Sequence, residues 1–252
     1  MQTIQKDTLT AMVFENRIQM GEAAAKDIAA KIKELLETKE HINMIFAAAP
    51  SQRDVHKALV EDPTIDWSRV QAFHMDEYVG LSKDAPQGFG NFLREHIFGK
   101  VNFRAVYYID CEAADPQAEC DRYAALLQEH PTDIVVLGIG ENGHIAFNDP
   151  GVADFNDPCD LKLVELDDMC RNQQVNDGCF STLSEVPTHA LTITVPALVR
   201  APALFCIVPA ATKANAVRDT LQGEIGEHCP ATILRTREGA KLYLDPESAA
   251  KL

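Results

Sequence analysis

The chain has 252 residues, 46% of them hydrophobic and 24% charged, which suits one large globular domain and falls short of two complete ones. Against 38 acidic residues stand 23 basic ones, for a formal charge of −15, and this excludes the basic face that a nucleic-acid partner requires. No apolar run approaches a bilayer span, and Met1–Arg17 lacks a basic start followed by an apolar core, so a cytoplasmic protein with no membrane partner is expected.

A small phosphorylated ligand stays open, because a few convergent cations can hold a phosphate on an acidic protein. The seven cysteines form no C-x-x-C pair and are odd in number. They read as free thiols of a reducing compartment, with no zinc site expected.

In chain order, Gly21–Glu37 reads as a helix, with Ala24, Ile28, Ile32, Leu35 and Leu36 near one face. Ile42–Ala48 is an apolar strand. Ser51-Gln52-Arg53-Asp54 then fits a capping box opening a helix through Val60. Val70–His74 is a strand, Phe89–Phe98 helical, Ala105–Ile109 extended, Ala118–Gln128 helical and Ile134–Leu137 a strand. Beyond a polar stretch, Ala190–Val195 alternates as a strand, Ala203–Val208 is a buried strand, Thr212–Gln222 a helix and Lys241–Leu244 a late strand.

Strands alternating with helices predict an α/β fold: a doubly wound, mostly parallel sheet with helices on both faces, a Rossmann-like three-layer sandwich. No linker or repeat interrupts it, so residues 1–252 are read as a single domain. The polar stretch at about 154–185 exceeds a plain connection. It is either a lid or a static surface excursion with short helices. In doubly wound folds ligands sit beyond the carboxyl ends of the strands.

Two segments start at such ends. The first, VQAFHMDEYVGL at Val70–Leu81, delivers Asp76 and Glu77; the second, DIVVLGIGENGHIAFNDPG at Asp133–Gly151, delivers His144 and Asp149. Gly138–Gly143 matches G-x-G-x-x-G, but Asn148–Gly151 stops the chain where a dinucleotide fold needs a helix, so no NAD or FAD is expected. A strand-end carboxylate such as Asp76 can shuttle a proton or merely cap a turn. His144 gains weight from Asp149 five residues on, since a carboxylate orients an imidazole.

HMDEYVGL and GIGENGHIAFNDPG closely resemble the two signature segments of the glucosamine-6-phosphate deaminase/isomerase family, whose superfamily includes 6-phosphogluconolactonases. Weaker resemblance extends to Val186–Leu198 and to Pro209–Val217. It implies an enzyme, a deaminase-like hydrolase/isomerase that turns glucosamine 6-phosphate into fructose 6-phosphate and ammonia without metal or organic cofactor. By motif position, His144 would assist ring opening, Asp149 and Asn142 would position it, and Asp76 would move a proton between C2 and C1. Ser51, Gln52, Arg53, Glu77, Gly140, Arg171 and Lys213 are the expected substrate-binding residues, with Lys213 and Arg171 on the phosphate. A homo-oligomer is compatible with the family.

The chain departs from the pattern in one place above all. The family carries a phosphate loop of the form S/T-G-G-S/T-P after its first strand, and here Ala47-Ala48-Ala49-Pro50-Ser51-Gln52-Arg53 stands instead. Asp149 replaces a commoner Glu, Asn142 an occasional Asp, and His74 a commoner Asn. The alternatives these leave are a lactonase or isomerase acting on another sugar phosphate, and a non-catalytic sugar-phosphate sensor.

Overall fold

The computed structural model describes residues 2–252. In chain order the elements are β1 (Gln2–Lys6), β2 (Leu9–Val13), α1 (Arg17–Leu36), β3 (Ile42–Phe46), α2 (Arg53–Glu61), β4 (Val70–His74), β5 (Asp76–Tyr78), α3 (Phe89–Leu93) and β6 (Ala105–Tyr107). There follow α4 (Pro116–Glu129), β7 (Ile134–Leu137), β8 (Leu161–Glu165), α5 (Asp168–Asn176), β9 (His189–Ile193), α6 (Val195–Val199), β10 (Ala203–Val208), α7 (Ala214–Gln222) and β11 (Ala240–Leu244).

Eight strands form one sheet in the order β1-β2-β11-β10-β7-β3-β4-β6. The β1–β2 hairpin is antiparallel and the other pairings are parallel. Alternate residues of the central strands feed two separate cores. Ile134 and Val136 of β7 join Met44 and Phe46 of β3 beneath α1 and α2, whereas Val135 and Leu137 join Ile45 beneath α4 and α7. A sheet buried on both faces needs apolar side chains at every position, which is why these strands read as continuous hydrophobic runs. The expected doubly wound three-layer fold is what forms.

The winding reverses between β3 and β7. From β3 the chain builds outward through β4 to β6; from β7 it builds the other way through β10 and β11. Such a reversal opens a crevice at the strands' carboxyl ends.

A second sheet, β5-β9-β8, is antiparallel. It overturns one expectation. Ala190–Val195 joins this small sheet and not the parallel one, where β9 lies buried between β5 and β8. The 154–185 stretch supplies β8 and α5. The helix has no apolar period, because α5 buries only polar or small groups, Cys170, Gln173 and Gln174.

The capping box also fails. Ser51 lies in a 3₁₀ turn, Pro50–Gln52, and neither that turn nor α2 has a side-chain cap. The Asp54 carboxylate is bound by Arg17 instead. No described helix is long and apolar enough to cross a membrane.

Candidate active site

An open cleft lies at the β3/β7 reversal. Four strand ends supply its walls: Ala47–Gln52 after β3, Met75 and Asp76 after β4, Gly138–Gly140 and His144 after β7, and Pro209–Lys213 after β10.

Asp76 sits where the chain leaves the large sheet for the small one. Met75 accepts a hydrogen bond from the Ile193 N–H, and Asp76 pairs with Thr192 of β9. The preceding His74 is fully buried and spans the same corner. Its Nε2 accepts the Ile109 N–H at 2.9 Å, so its Nδ1–H donates to the Asp76 carbonyl, also at 2.9 Å. Burial holds this imidazole neutral, with its pKa pushed down to about 4. His74 thus fixes the Asp76 backbone and does not enter the cleft. Burial, and then the charge of neighbouring Glu77, push the Asp76 carboxyl well above the usual carboxylate range.

Glu77 faces away from the cleft. Its carboxylate accepts the backbone N–H groups of Tyr78, Phe89 and Gly90 at 2.8–3.0 Å, which ties β5 to the start of α3. A substrate contact expected there gives way to this anchor. Alternation along β5 explains the difference, since successive side chains point to opposite faces.

His144 is held by a tight turn. The Gly140 N–H donates to the His144 carbonyl at 2.9 Å, and Gly143 adopts φ +88° against Cys229, a conformation that favours glycine. Nδ1 of His144 lies 2.8 Å from Asp149 Oδ1, close but bent away from in-line hydrogen-bond geometry. Asn142 braces both partners: its Oδ1 accepts the His144 N–H at 3.1 Å, and its Nδ2 donates to Asp149 Oδ1 at 2.9 Å. Burial raises the Asp149 pKa. The close approach of His144, with Asn142 and Cys170, outweighs that and leaves it below the ordinary value. Gly140 is the floor beneath the imidazole, as a Cβ there would lie 2.2 Å from His144 Cε1.

At the far end, Ser51 and Gln52 line the cleft. Gln52 Nε2 donates to Ser51 Oγ at 3.1 Å and to the Ile207 carbonyl at 3.0 Å, which joins the loop after β3 to the end of β10. Lys213 is buried on the cleft wall with no ion pair to a described residue. Burial lowers its pKa, partly offset by Asp177 and Glu141. The adjoining Ala210 has φ +86° and ψ 146°, a strained conformation held by the Asp245 carboxylate on its N–H.

Two cations expected to bind substrate lie elsewhere. Exposed Arg53 sits over the Phe92 ring. Arg171 donates to the Leu183 and Val186 carbonyls and pairs with Asp168, which ties α5 to the turn after it. Neither lines the cleft. Conversely, no sequence signal marks Arg17, Gln173, Gln174 or Asp177, all of which do. Arg17 comes from a distant helix start, and the other three from a stretch without apolar period.

Among the described residues, His144, Asp149 and Cys170 form one cluster of potential metal ligands, with their donor atoms within 4.8 Å of one another. In this cluster the carboxylate already engages the imidazole directly. A carboxylate so placed can orient the imidazole.

Comparison with known proteins agrees with this layout. The chain is 33% identical over 240 residues to a Bacillus cereus (strain B4264) protein named glucosamine-6-phosphate deaminase, covering 95% of this chain and 88% of that one. It is 36% identical over 222 residues to a protein of the same name from Exiguobacterium sibiricum, covering 87% and 85%. Its fold superposes on a monomeric glucosamine-6-phosphate deaminase with a TM-score of 0.87 at 27% identity, over 96% of this chain and 99% of that one. The 6-phosphogluconolactonase of Trypanosoma brucei shares the fold at TM-score 0.78 and 18% identity, over 96% and 98%. The sequence model of one family matches residues 15–243, and the chain belongs to that family, the glucosamine-6-phosphate isomerases/6-phosphogluconolactonases.

Proposed function

We propose that this protein is an amino-sugar phosphate deaminase/isomerase that converts glucosamine 6-phosphate and water into fructose 6-phosphate and ammonia. One observation carries the reading: Asp76 and His144, delivered by strands on either side of β3, line the same cleft. The deaminase names of relatives at 33–36% identity support it.

In this reading His144, held by Asp149 and Asn142, transfers a proton at the ring oxygen and opens the sugar. Asp76 removes the C2 proton to give an enolamine and returns a proton to C1, which leaves a ketimine at C2. Water adds to that carbon and the C–N bond breaks, releasing ammonia. Asp76 suits the step because a desolvated carboxylate is a stronger base than one in water. The substrate's own ammonium, arriving beside it, favours the ionised form. Lys213 takes the phosphate at the other end of the cleft.

The test is a substrate panel in which ammonia and ketose are measured together. Equal release of both from glucosamine 6-phosphate supports the assignment. Background levels from folded protein, with turnover of 6-phosphogluconolactone or another hexose phosphate, would move the assignment to that substrate. Tight binding without turnover of any panel member would mark a sensor.

A further inference from the structure

The cleft needs an anion-binding end, yet the loop that would form it is ill suited. Ala47–Pro50 contains no glycine, and Pro50 has no N–H to donate. Of the three cations expected to bind substrate, Arg53 and Arg171 are engaged elsewhere and only Lys213 remains.

One other cation reaches the cleft. Arg17, the first residue of α1, lines it beside Pro50 and Ser51. Its Nε is bound by the Asp54 carboxylate, and its Nη2 donates to the Pro50 carbonyl at 2.6 Å. Nη1 makes no hydrogen bond to a described residue. The guanidinium is therefore clamped on two sides, with one edge left for a ligand. Clamping costs a planar fork little further entropy on binding.

Lys213 supplies an independent sign. The residue is only 6% exposed and has no ion pair with a described residue. A buried charge without a partner is costly, and an arriving anion relieves that cost. Gln52, bonded to both Ser51 and the end of β10, ties the Arg17 side of the cleft to the Lys213 side.

We propose that Arg17 is the second anion-recognition residue of this cleft, acting with Lys213 on the phosphate at the loop where Pro50 offers no backbone N–H. The proposal deepens the reading above and rests on it for the identity of the phosphate. Asp54 becomes a positioning residue, because it aims the guanidinium without touching the ligand.

Arg17→Ala, Arg17→Lys and, for comparison, Arg53→Ala are compared in two assays. In steady-state kinetics with glucosamine 6-phosphate, Arg17→Ala should lower kcat/KM by about 10- to 100-fold, chiefly through KM, the usual range for a charge-assisted contact. Arg17→Lys should fall between it and the parent, because the charge is kept and the fork lost. Arg53→Ala should match the parent. Calorimetry with inorganic phosphate, and with glucose 6-phosphate against glucose, reads anion binding without any turnover. There Arg17→Ala should weaken phosphate and glucose 6-phosphate by a similar factor and leave glucose unchanged. If the parent binds these phosphates but shows no deamination, the substrate assignment fails while Arg17 is still tested. Folded Arg17→Ala that binds inorganic phosphate as tightly as the parent would overturn the proposal, as would an equal loss in Arg53→Ala.

Discussion

Gly140→Ala gives a sharp test of the site's geometry. A Cβ at Gly140 would sit 2.2 Å from His144 Cε1 and 2.3 Å from both ring nitrogens. Against a practical lower limit of 3.0 Å the shortfall is about 0.8 Å, so the whole imidazole must move. Moving it breaks the 2.8 Å approach of Nδ1 to Asp149. Gly140 is not in the left-handed region, so the backbone itself accepts alanine. The loss should fall on the histidine's share of acid–base catalysis, roughly 10²- to 10³-fold in kcat. The assay is coupled ketose formation, with a thermal melt to confirm folding. His144→Ala clears the space that the new Cβ needs, so Gly140→Ala/His144→Ala should be no slower than His144→Ala alone. A Gly140→Ala enzyme within two-fold of the parent kcat, or fully additive losses in the double variant, would refute the seating of His144 on Gly140.

The raised pKa of Asp76 has a signed consequence for stability. Its folded value exceeds the unfolded one, so its contribution is fully present below the unfolded value and is lost as pH rises through the folded one. Asp76→Asn should therefore raise Tm, and by more at pH 8 than at pH 4; an equal or opposite shift in calorimetry would contradict the burial argument. The acid limb of the kcat/KM profile should likewise lie above the ordinary carboxylate range and disappear with that side chain. Asp177 lines the anion end and acts on Lys213, so Asp177→Asn should lower KM for the sugar phosphate by about 2- to 5-fold, against no change if a ligand phosphate never approaches it. We also propose that the 154–185 stretch closes over ligand through α5, whose Gln173 and Gln174 line the cleft. Limited proteolysis within it should slow when glucose 6-phosphate binds, and unchanged cleavage would favour a static wall.

The sequence carried most of the scaffold. Val70–His74 and Ala203–Val208 form as read, because strands buried on both faces advertise themselves as unbroken apolar runs. The amphipathic stripe of α1 was visible too, though its start at Arg17 was not, since Asn16 caps it without an apolar neighbour to mark the turn. That Asp76 and His144 share the cleft was legible because each follows the end of a parallel strand. The anion end was not. Arg53 and Arg171 are close in sequence to cleft residues, yet one turns onto Phe92 and the other onto backbone carbonyls of its own segment. Arg17 reaches the cleft only because α1 packs on α2, where Gly21 lets the helices approach within reach of Asp54. Such long-range packing leaves no local pattern to read.

The central claim is that Asp76 is the base that moves a proton on a hexosamine phosphate. Steady-state turnover of glucosamine 6-phosphate by Asp76→Asn, beside calorimetric binding of a non-reacting hexose phosphate, tests it most directly. The account predicts a kcat lower by about 10³-fold or more, with affinity within a few-fold of the parent. A variant that releases ammonia and fructose 6-phosphate at the parental rate would contradict it.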